Sequence, residues 1–345
     1  MKGLVIASAL TLVGSCATTR YSTKIENIKN NIQLADSVTV MRYANTITAK
    51  ELKTHLYTYA SNAFEGRKTG EPGQKKAAHF LKTYYQSQNI PSPIKDSIYY
   101  QSISKDYLPN NIKSTENVLA FIKGAEKPNE VVIISAHLDH LGIENNQIFN
   151  GADDNGSGTT ALMEMAQAFQ LAANDGILPK RSILFLHVTG EELGLYGSRY
   201  YIENPIFDLD NTIANLNIDM IGRVDEKHQA NPNYIYLIGA DRISKELHFI
   251  SEKVNNTYFN LDLDYTYNDE NDHNRYYFRS DHYKFALHNI PVIFYFNGEH
   301  QDYHEATDTP DKIEYELLAK RAQLIFITAW HLANKEHDLI HNDDI

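Results

Sequence analysis

Five short stretches carry residues able to do chemistry. They are His137-Leu138-Asp139-His140, Gly151-Ala152-Asp153-Asp154-Asn155-Gly156-Ser157-Gly158, Gly190-Glu191-Glu192-Leu193-Gly194, Asp219-Met220-Ile221-Gly222 and Asn297-Gly298-Glu299-His300-Gln301-Asp302-Tyr303-His304. Their donors are imidazole nitrogens and carboxylate oxygens, with no thiolate among them, because the one cysteine is Cys16, far upstream. Such a set suits zinc, manganese or cobalt in a catalytic site better than a structural zinc knot. A set of two histidines and three carboxylates exceeds what one catalytic zinc takes. It fits two metals sharing one carboxylate, roughly 3.5–4 Å apart. Of the adjacent Glu191 and Glu192, one can then bind metal while the other takes a proton from the attacking water. In His137-x-Asp139 a carboxylate can hold the imidazole in the tautomer that leaves its other nitrogen free for metal. Taken singly, each piece also has an ordinary structural reading: Asp154 or Ser157 as a helix cap, Glu191 and Glu192 as helix-start acids, a loop histidine as a solvated one.

The elements that must position these residues are legible around them. Val131–Ala136 is a short continuous apolar run, as expected of a strand buried on both faces, and Arg181–Val188 repeats the pattern. Asn117–Ile122, Thr212–Ile218, Tyr234–Ile238 and Pro291–Phe296 read as further strands, and Ser97–Ser104 alternates loosely. Leu162, Met165, Ala166, Phe169 and Ala172 recur at helical spacing after the glycine-rich Asp153-Asp154 loop, until Asn174-Asp175-Gly176 stops the run. Thr48-Ala49-Lys50-Glu51 is a capping box ahead of Leu52, Leu56 and Tyr59. Other helices are predicted over about 74–88, 196–203, 243–255 and 312–333. Alternating strands and helices predict a three-layer α/β/α domain with a mixed, mostly parallel sheet. The chemical residues then fall at C-terminal strand ends, where open α/β sheets place their ligands. Residues 225–290 carry little pattern.

The formal net charge is −12, and no Lys/Arg cluster is paired with aromatics, which argues against a nucleic-acid surface. Lys2, the apolar run Leu4–Val13 and then Gly14-Ser15-Cys16 read as a signal peptide, too short to span a bilayer. Val13-Gly14-Ser15-Cys16 resembles the lipobox of bacterial lipoproteins. The expectation is an exported chain anchored in a bacterial cell envelope by a lipid on Cys16, with no other contact with the membrane. Residues 17–45 are polar and weakly patterned and are expected to form a tether, or a short helix leading away from the membrane, with a single domain over 46–345. No feature specifies an oligomeric state.

Together, His137-x-Asp139, Gly151–Gly158, Gly190-Glu191-Glu192-x-Gly194, Asn217-Ile218-Asp219-Met220-Ile221-Gly222 and Tyr303-His304-x-x-x-Asp308-Thr309 resemble the M28 zinc metallopeptidases. These are co-catalytic aminopeptidases related to bacterial secreted leucyl aminopeptidases. The resemblance runs from about Thr48 to Ala333, with the motifs in family order. Glu65-Gly66-Arg67-x-Thr69-Gly70-x-x-Gly73 and Arg279-Ser280-Asp281-His282-x-x-Phe285 match patterns of exported members. The resemblance implies two zinc ions per chain, one on His137 and Asp219, the other on Glu192 and His304, bridged by Asp154. It implies Glu191 as general base and later acid, Asp139 orienting His137, and Tyr303 hydrogen-bonding the tetrahedral oxyanion. The implied substrate is a peptide with a free N-terminus. A carboxypeptidase or a glutaminyl cyclase on the same fold is the alternative, and a non-catalytic binding ectodomain a more distant one. His300 is a rival to His304 that ranks below it, and His140 and His282 are expected in supporting or structural roles. The short span from Gly70 to His137 leaves no room for the protease-associated insert common in the family.

Overall fold

The expected run of buried strands forms the centre of one eight-stranded sheet. The computed structural model describes residues 20–34, 36–94 and 97–345, so the leader and Cys16 lie outside the described residues. In chain order the sheet strands are β1 (Tyr100–Ile103), β2 (Thr115–Ile122), β3 (Lys127–His137), β6 (Arg181–Val188), β7 (Thr212–Ile218), β8 (Tyr234–Ile238), β9 (Asp262–Asp264) and β10 (Val292–Phe296). A separate hairpin joins β4 (Gly142–Glu144) to β5 (Gln147–Phe149). The spatial order is β1-β2-β6-β3-β7-β10-β8-β9. The four central strands β6, β3, β7 and β10 are mutually parallel, while β2 and β8 flank them antiparallel.

The alternation of side chains along each strand builds two cores. On one face Val132, Ile134, Ala136, Ile183, Phe185, Leu216 and Ile218 pack with helices α3 (Ala49–Tyr59), α4 (Pro72–Ser87), α5 (Gly158–Asn174), α7 (Lys245–Tyr258) and α9 (Tyr315–Asn334). On the other face Val131, Ile133, Leu184, Leu186 and Val188 meet Tyr201 and Ile202 of α6 (Tyr196–Glu203) and Phe285 of α8 (His282–Ala286). This is the three-layer α/β/α arrangement with a mixed, mostly parallel sheet. Helix α3 carries the expected cap, Thr48 Oγ1 accepting from Glu51 N–H at 3.2 Å. Helix α5 ends at Asn174, and Gly176 (φ +82°) takes the left-handed position that closes it.

Of the tether or short helix expected over 17–45, the described part is helical. Residues 20–31 are helical (α1), and α2 (Ser37–Ala44) is capped by Asp36, which accepts from Val38 N–H at 3.0 Å. Val40, Tyr43 and Ala44, at i, i+3 and i+4, join the larger core, and Tyr43 stacks on Trp330 of α9. The helix buries only one narrow stripe, which is why its sequence looks polar.

Candidate metal centre and active site

Four of the five expected ligands come from the C-terminal edge of the four central strands. His137 ends β3, Asp219 follows β7, Glu191 and Glu192 follow β6, and His304 lies in the loop after β10. Asp154 arrives from the loop between β5 and α5, where the Asp154–Asn155 peptide is cis. Neither expected cap is seen there: Ser157 Oγ donates to Asp153 O, and it is Asn155 Oδ1 that accepts from Gly158 N–H at 3.0 Å. A Cβ on residue 158 would collide with that Asn155 side chain, so glycine is required there.

The two oxygens of Asp154 face different imidazoles. Oδ1 is 3.2 Å from His137 Nε2, which is also 3.3 Å from Asp219 Oδ1. Oδ2 is 3.2 Å from His304 Nε2, which is also 3.4 Å from Glu192 Oε2. The structure therefore brings the five residues into two His–carboxylate pairs that share one carboxylate. Among the described residues, three groups of donor atoms each fit within 4.8 Å: His137, Asp154 and Asp219; His137, Glu191 and Glu192; His140, Asp154 and Glu192. Carboxylates and imidazoles held this close, with no thiolate among them, fit zinc.

His140 stands closer to the chemistry than its expected supporting role required. Its Nδ1 lies 2.8 Å from Glu192 Oε1, leaving Oε2 to face His304, and its Nε2 is buried without a partner. His300 does not compete with His304: its Nε2 sits on Asp153 Oδ2 at 3.1 Å, on the far side of the loop. Asp139 holds His137 differently from the expectation. Its backbone carbonyl is 3.2 Å from His137 Nδ1, while its carboxylate is 3.9 Å away and accepts instead from Thr69 Oγ1 at 2.6 Å and Glu191 N–H at 3.3 Å. The Asp139 carboxylate is drawn instead to Thr69 and to the backbone of the loop after β6.

Electrostatics separate the two adjacent glutamates. Burial, reinforced by the Asp219, Glu192 and Asp281 carboxylates, pushes Glu191 well above the usual carboxylate range against the opposing pull of His137. Burial also raises Glu192, but the His140 and His304 contacts outweigh it and hold Glu192 below its usual value. Burial lowers His304, yet Asp154 and Glu192 more than reverse this and lift it to about 10. Glu191 lines a small cleft with His137, Asp154, Asp219, Tyr303 and His304. Tyr303 stacks on His304 with ring centroids 3.9 Å apart, its hydroxyl 3.4 Å from Arg279 Nη2.

Several contributors were not singled out from sequence. Met220, Tyr276, Phe294 and Phe296 give the cleft an apolar wall, and the Arg279–Glu299 pair, 3.0 Å apart, closes its rim. Asp308 accepts from the N–H groups of Asp153 at 2.9 Å and Asp154 at 3.1 Å, fixing the loop that carries the shared carboxylate. The quoted motifs held Arg279 and Asp308 but no sign of what each touches.

The sequence pattern of peptidase family M28 matches residues 117–329. Leupeptin-inactivating enzyme 1 of Streptomyces exfoliatus is 30% identical over 256 residues, 73% of this chain and 50% of its own length. A probable glutamate carboxypeptidase of Zea mays, VP8, is 32% identical over 130 residues, 37% of this chain and 16% of its own. The chain spans about half the length of the first curated relatives it matches. Among solved structures, the Legionella pneumophila LapA aminopeptidase superposes with a TM-score of 0.68 at 20% identity, over 88% of this chain and 77% of its own, a likeness of fold. The family match covers more than half of the chain, and with the fold and the two-fold clustering of donors it means that this chain belongs to peptidase family M28, the zinc metallopeptidases.

Proposed function

We propose that this chain is a two-zinc exopeptidase that removes residues from the free amino terminus of peptides. The observation that supports this most is Asp154 presenting one oxygen to the His137–Asp219 pair and the other to the His304–Glu192 pair, with Glu191 beside both in the cleft. Zinc bound by these five residues would supply Lewis acidity toward the scissile carbonyl and lower the pKa of water. The protein's own work is proton handling and placement. Glu191, raised by burial and the neighbouring carboxylates, takes a proton from the attacking water and returns it to the leaving amine nitrogen. Asp139 fixes the backbone at Glu191 and the ring of His137. Tyr303, at the cleft wall, offers its hydroxyl to the oxyanion. The apolar wall of Met220, Phe294 and Phe296 receives the side chain next to the cleaved bond.

N-acetylation of a cleaved peptide should nearly abolish turnover while leaving zinc content unchanged. Equal cleavage of free and blocked peptides would reassign the chain to a different peptidase type, such as a carboxypeptidase, and ring closure of N-terminal glutamine without hydrolysis to a cyclase. We further propose the lipid anchor on Cys16. Cys16→Ser should release the protein from membranes, and retention with unchanged processing would refute the anchor.

A further inference from the structure

Strand β7 ends in Asn215-Leu216-Asn217-Ile218, and Asp219 follows it directly. Alternate residues of a strand share a face. Leu216 and Ile218 therefore enter the larger core, while Asn215, Asn217 and Asp219 turn together toward the smaller one. On the neighbouring β3, the apolar residues of that face, Val131 and Ile133, give way to Ser135, which pairs in register with Asn217. Asn215, Asn217 and Ser135 are fully buried, and Ser280 almost so. They form one hydrogen-bonded chain. Asn215 Nδ2 donates to Ser135 Oγ at 2.9 Å, Ser135 Oγ to Asn217 Oδ1 at 2.8 Å, Asn217 Nδ2 to Ser280 Oγ at 2.8 Å, and Ser280 Oγ to Asp219 Oδ2 at 2.6 Å.

The direction of this chain is forced from its end. An ionised carboxylate only accepts, so Ser280 must give its single proton to Asp219. Ser280 then accepts from the amide nitrogen of Asn217, which leaves the Asn217 oxygen to accept from Ser135, and Ser135 to accept from Asn215. Every dipole therefore presents its positive end toward Asp219, and such aligned bonds reinforce one another in a low-dielectric interior. The Asp219 oxygen that Ser280 does not touch, Oδ1, is the one 3.3 Å from His137 Nε2.

We propose that Ser280, Asn217 and Ser135 are positioning residues that aim Asp219 Oδ1 at the position shared with His137 and Asp154, thereby setting the affinity of that one metal position. This rests on the reading of Asp219 as a zinc ligand. Zinc binding to the metal-stripped full chain, measured by competition with a chromophoric chelator, tests it alongside a thermal melt. Ser280→Ala should weaken one zinc by about 10- to 100-fold, as loss of a hydrogen-bond partner of a metal ligand does, and leave the other at wild-type affinity. Ser280→Thr, which keeps the hydroxyl, should recover most of that loss. Asp219→Asn should lose the same zinc. Wild-type affinity for both zincs in Ser280→Ala, with one lost in Asp219→Asn, would overturn the positioning role. Retention of both in Asp219→Asn would instead overturn the ligand reading. Should Ser280→Ala fail to fold, Ser135→Ala at the remote end carries the test: a weaker single zinc supports the chain of bonds, and two unchanged zincs refute it.

Discussion

Asp139 Oδ1 accepts the backbone N–H of Glu191 at 3.3 Å, which ties the loop after β3 to the loop after β6. Its other oxygen holds Thr69. Asn at this position has one accepting oxygen in place of two, so it keeps the Glu191 N–H only with its NH2 group toward Thr69, whose hydroxyl must then accept instead of donate, and it loses the carboxylate charge. Asp139→Asn should lower kcat by about 10- to 100-fold, the range for disturbed groups behind a metal centre, with zinc content unchanged. An unaltered kcat would remove Asp139 from the positioning of Glu191.

Glu191, and not Glu192, is the residue that handles the proton. Glu192 is held low by His140 and His304, as a ligand must be, whereas Glu191 is raised by burial and neighbouring carboxylates. Glu191→Gln keeps shape but accepts no proton, and kcat should fall by about 10²- to 10⁴-fold. Zinc content should stay at the wild-type level in Glu191→Gln and fall in Glu192→Gln. Steady-state kinetics and metal analysis of both variants check this, and near-normal kcat in Glu191→Gln would contradict it.

Arg67 is a buried clamp between the two loops that carry Asp139 and Asp154. Its guanidinium donates to Leu138 O at 3.2 Å, Asn150 O at 2.6 Å and Gly151 O at 2.8 Å, and it is 1% exposed. Arg67→Met fills similar space but leaves those carbonyls unsatisfied, at about 1–3 kcal/mol for each that finds no water. Denaturant unfolding should show a loss of several kcal/mol, on the order of 3, by the same principle. A change below the error of the measurement would mean the loops are held by other contacts.

His187 makes the protein sensitive to acid. Burial on β6 pushes its imidazole down to about 3 from an ordinary 6.5. Between those values the unfolded chain binds a proton that the folded chain refuses, so this contribution is intact above pH 6.5 and is lost as pH falls toward 3. The slope is up to about 1.4 kcal/mol per pH unit for one such group. His187→Gln removes the titration while keeping a partner for the Tyr85 hydroxyl, which is 2.6 Å from Nε2. The stability gap between wild type and variant should therefore narrow from pH 6.5 to pH 4, as read by denaturant unfolding. A gap constant with pH would show that His187 is charged in the fold.

The strands Arg181–Val188, Thr212–Ile218 and Tyr234–Ile238 were legible to the residue, Tyr234–Ile238 as a continuous apolar run, Arg181–Val188 from its apolar centre Ile183–Leu186, and Thr212–Ile218 from apolar residues alternating with Asn215 and Asn217. Helix α5 was legible from its period and its Gly176 stop. Strand β9 and helix α8 were not, since three and five residues are too few to show a period. Helix α2 was hidden for a related reason, one stripe of Val40, Tyr43 and Ala44 being too little to mark an amphipathic segment. The donors of the candidate site were visible as residue types at strand ends. What each donor touches was not: the His140–Glu192, Ser280–Asp219 and Asp308–Asp153 contacts join segments distant in sequence, and only the assembled sheet brings them together. The cleft wall was missed because Tyr276 and Arg279 sit in turns of the weakly patterned 225–290 stretch, whose path is set by packing against β10.

Zinc stoichiometry tests the central claim most directly. Asp154 is read as the one carboxylate shared by two His–carboxylate pairs, so the purified wild-type chain should carry two zinc ions by elemental mass spectrometry, and Asp154→Ala should lose zinc together with peptide turnover. A wild-type chain that saturates at a single zinc, or an Asp154→Ala variant that still holds two, would contradict the shared-carboxylate centre.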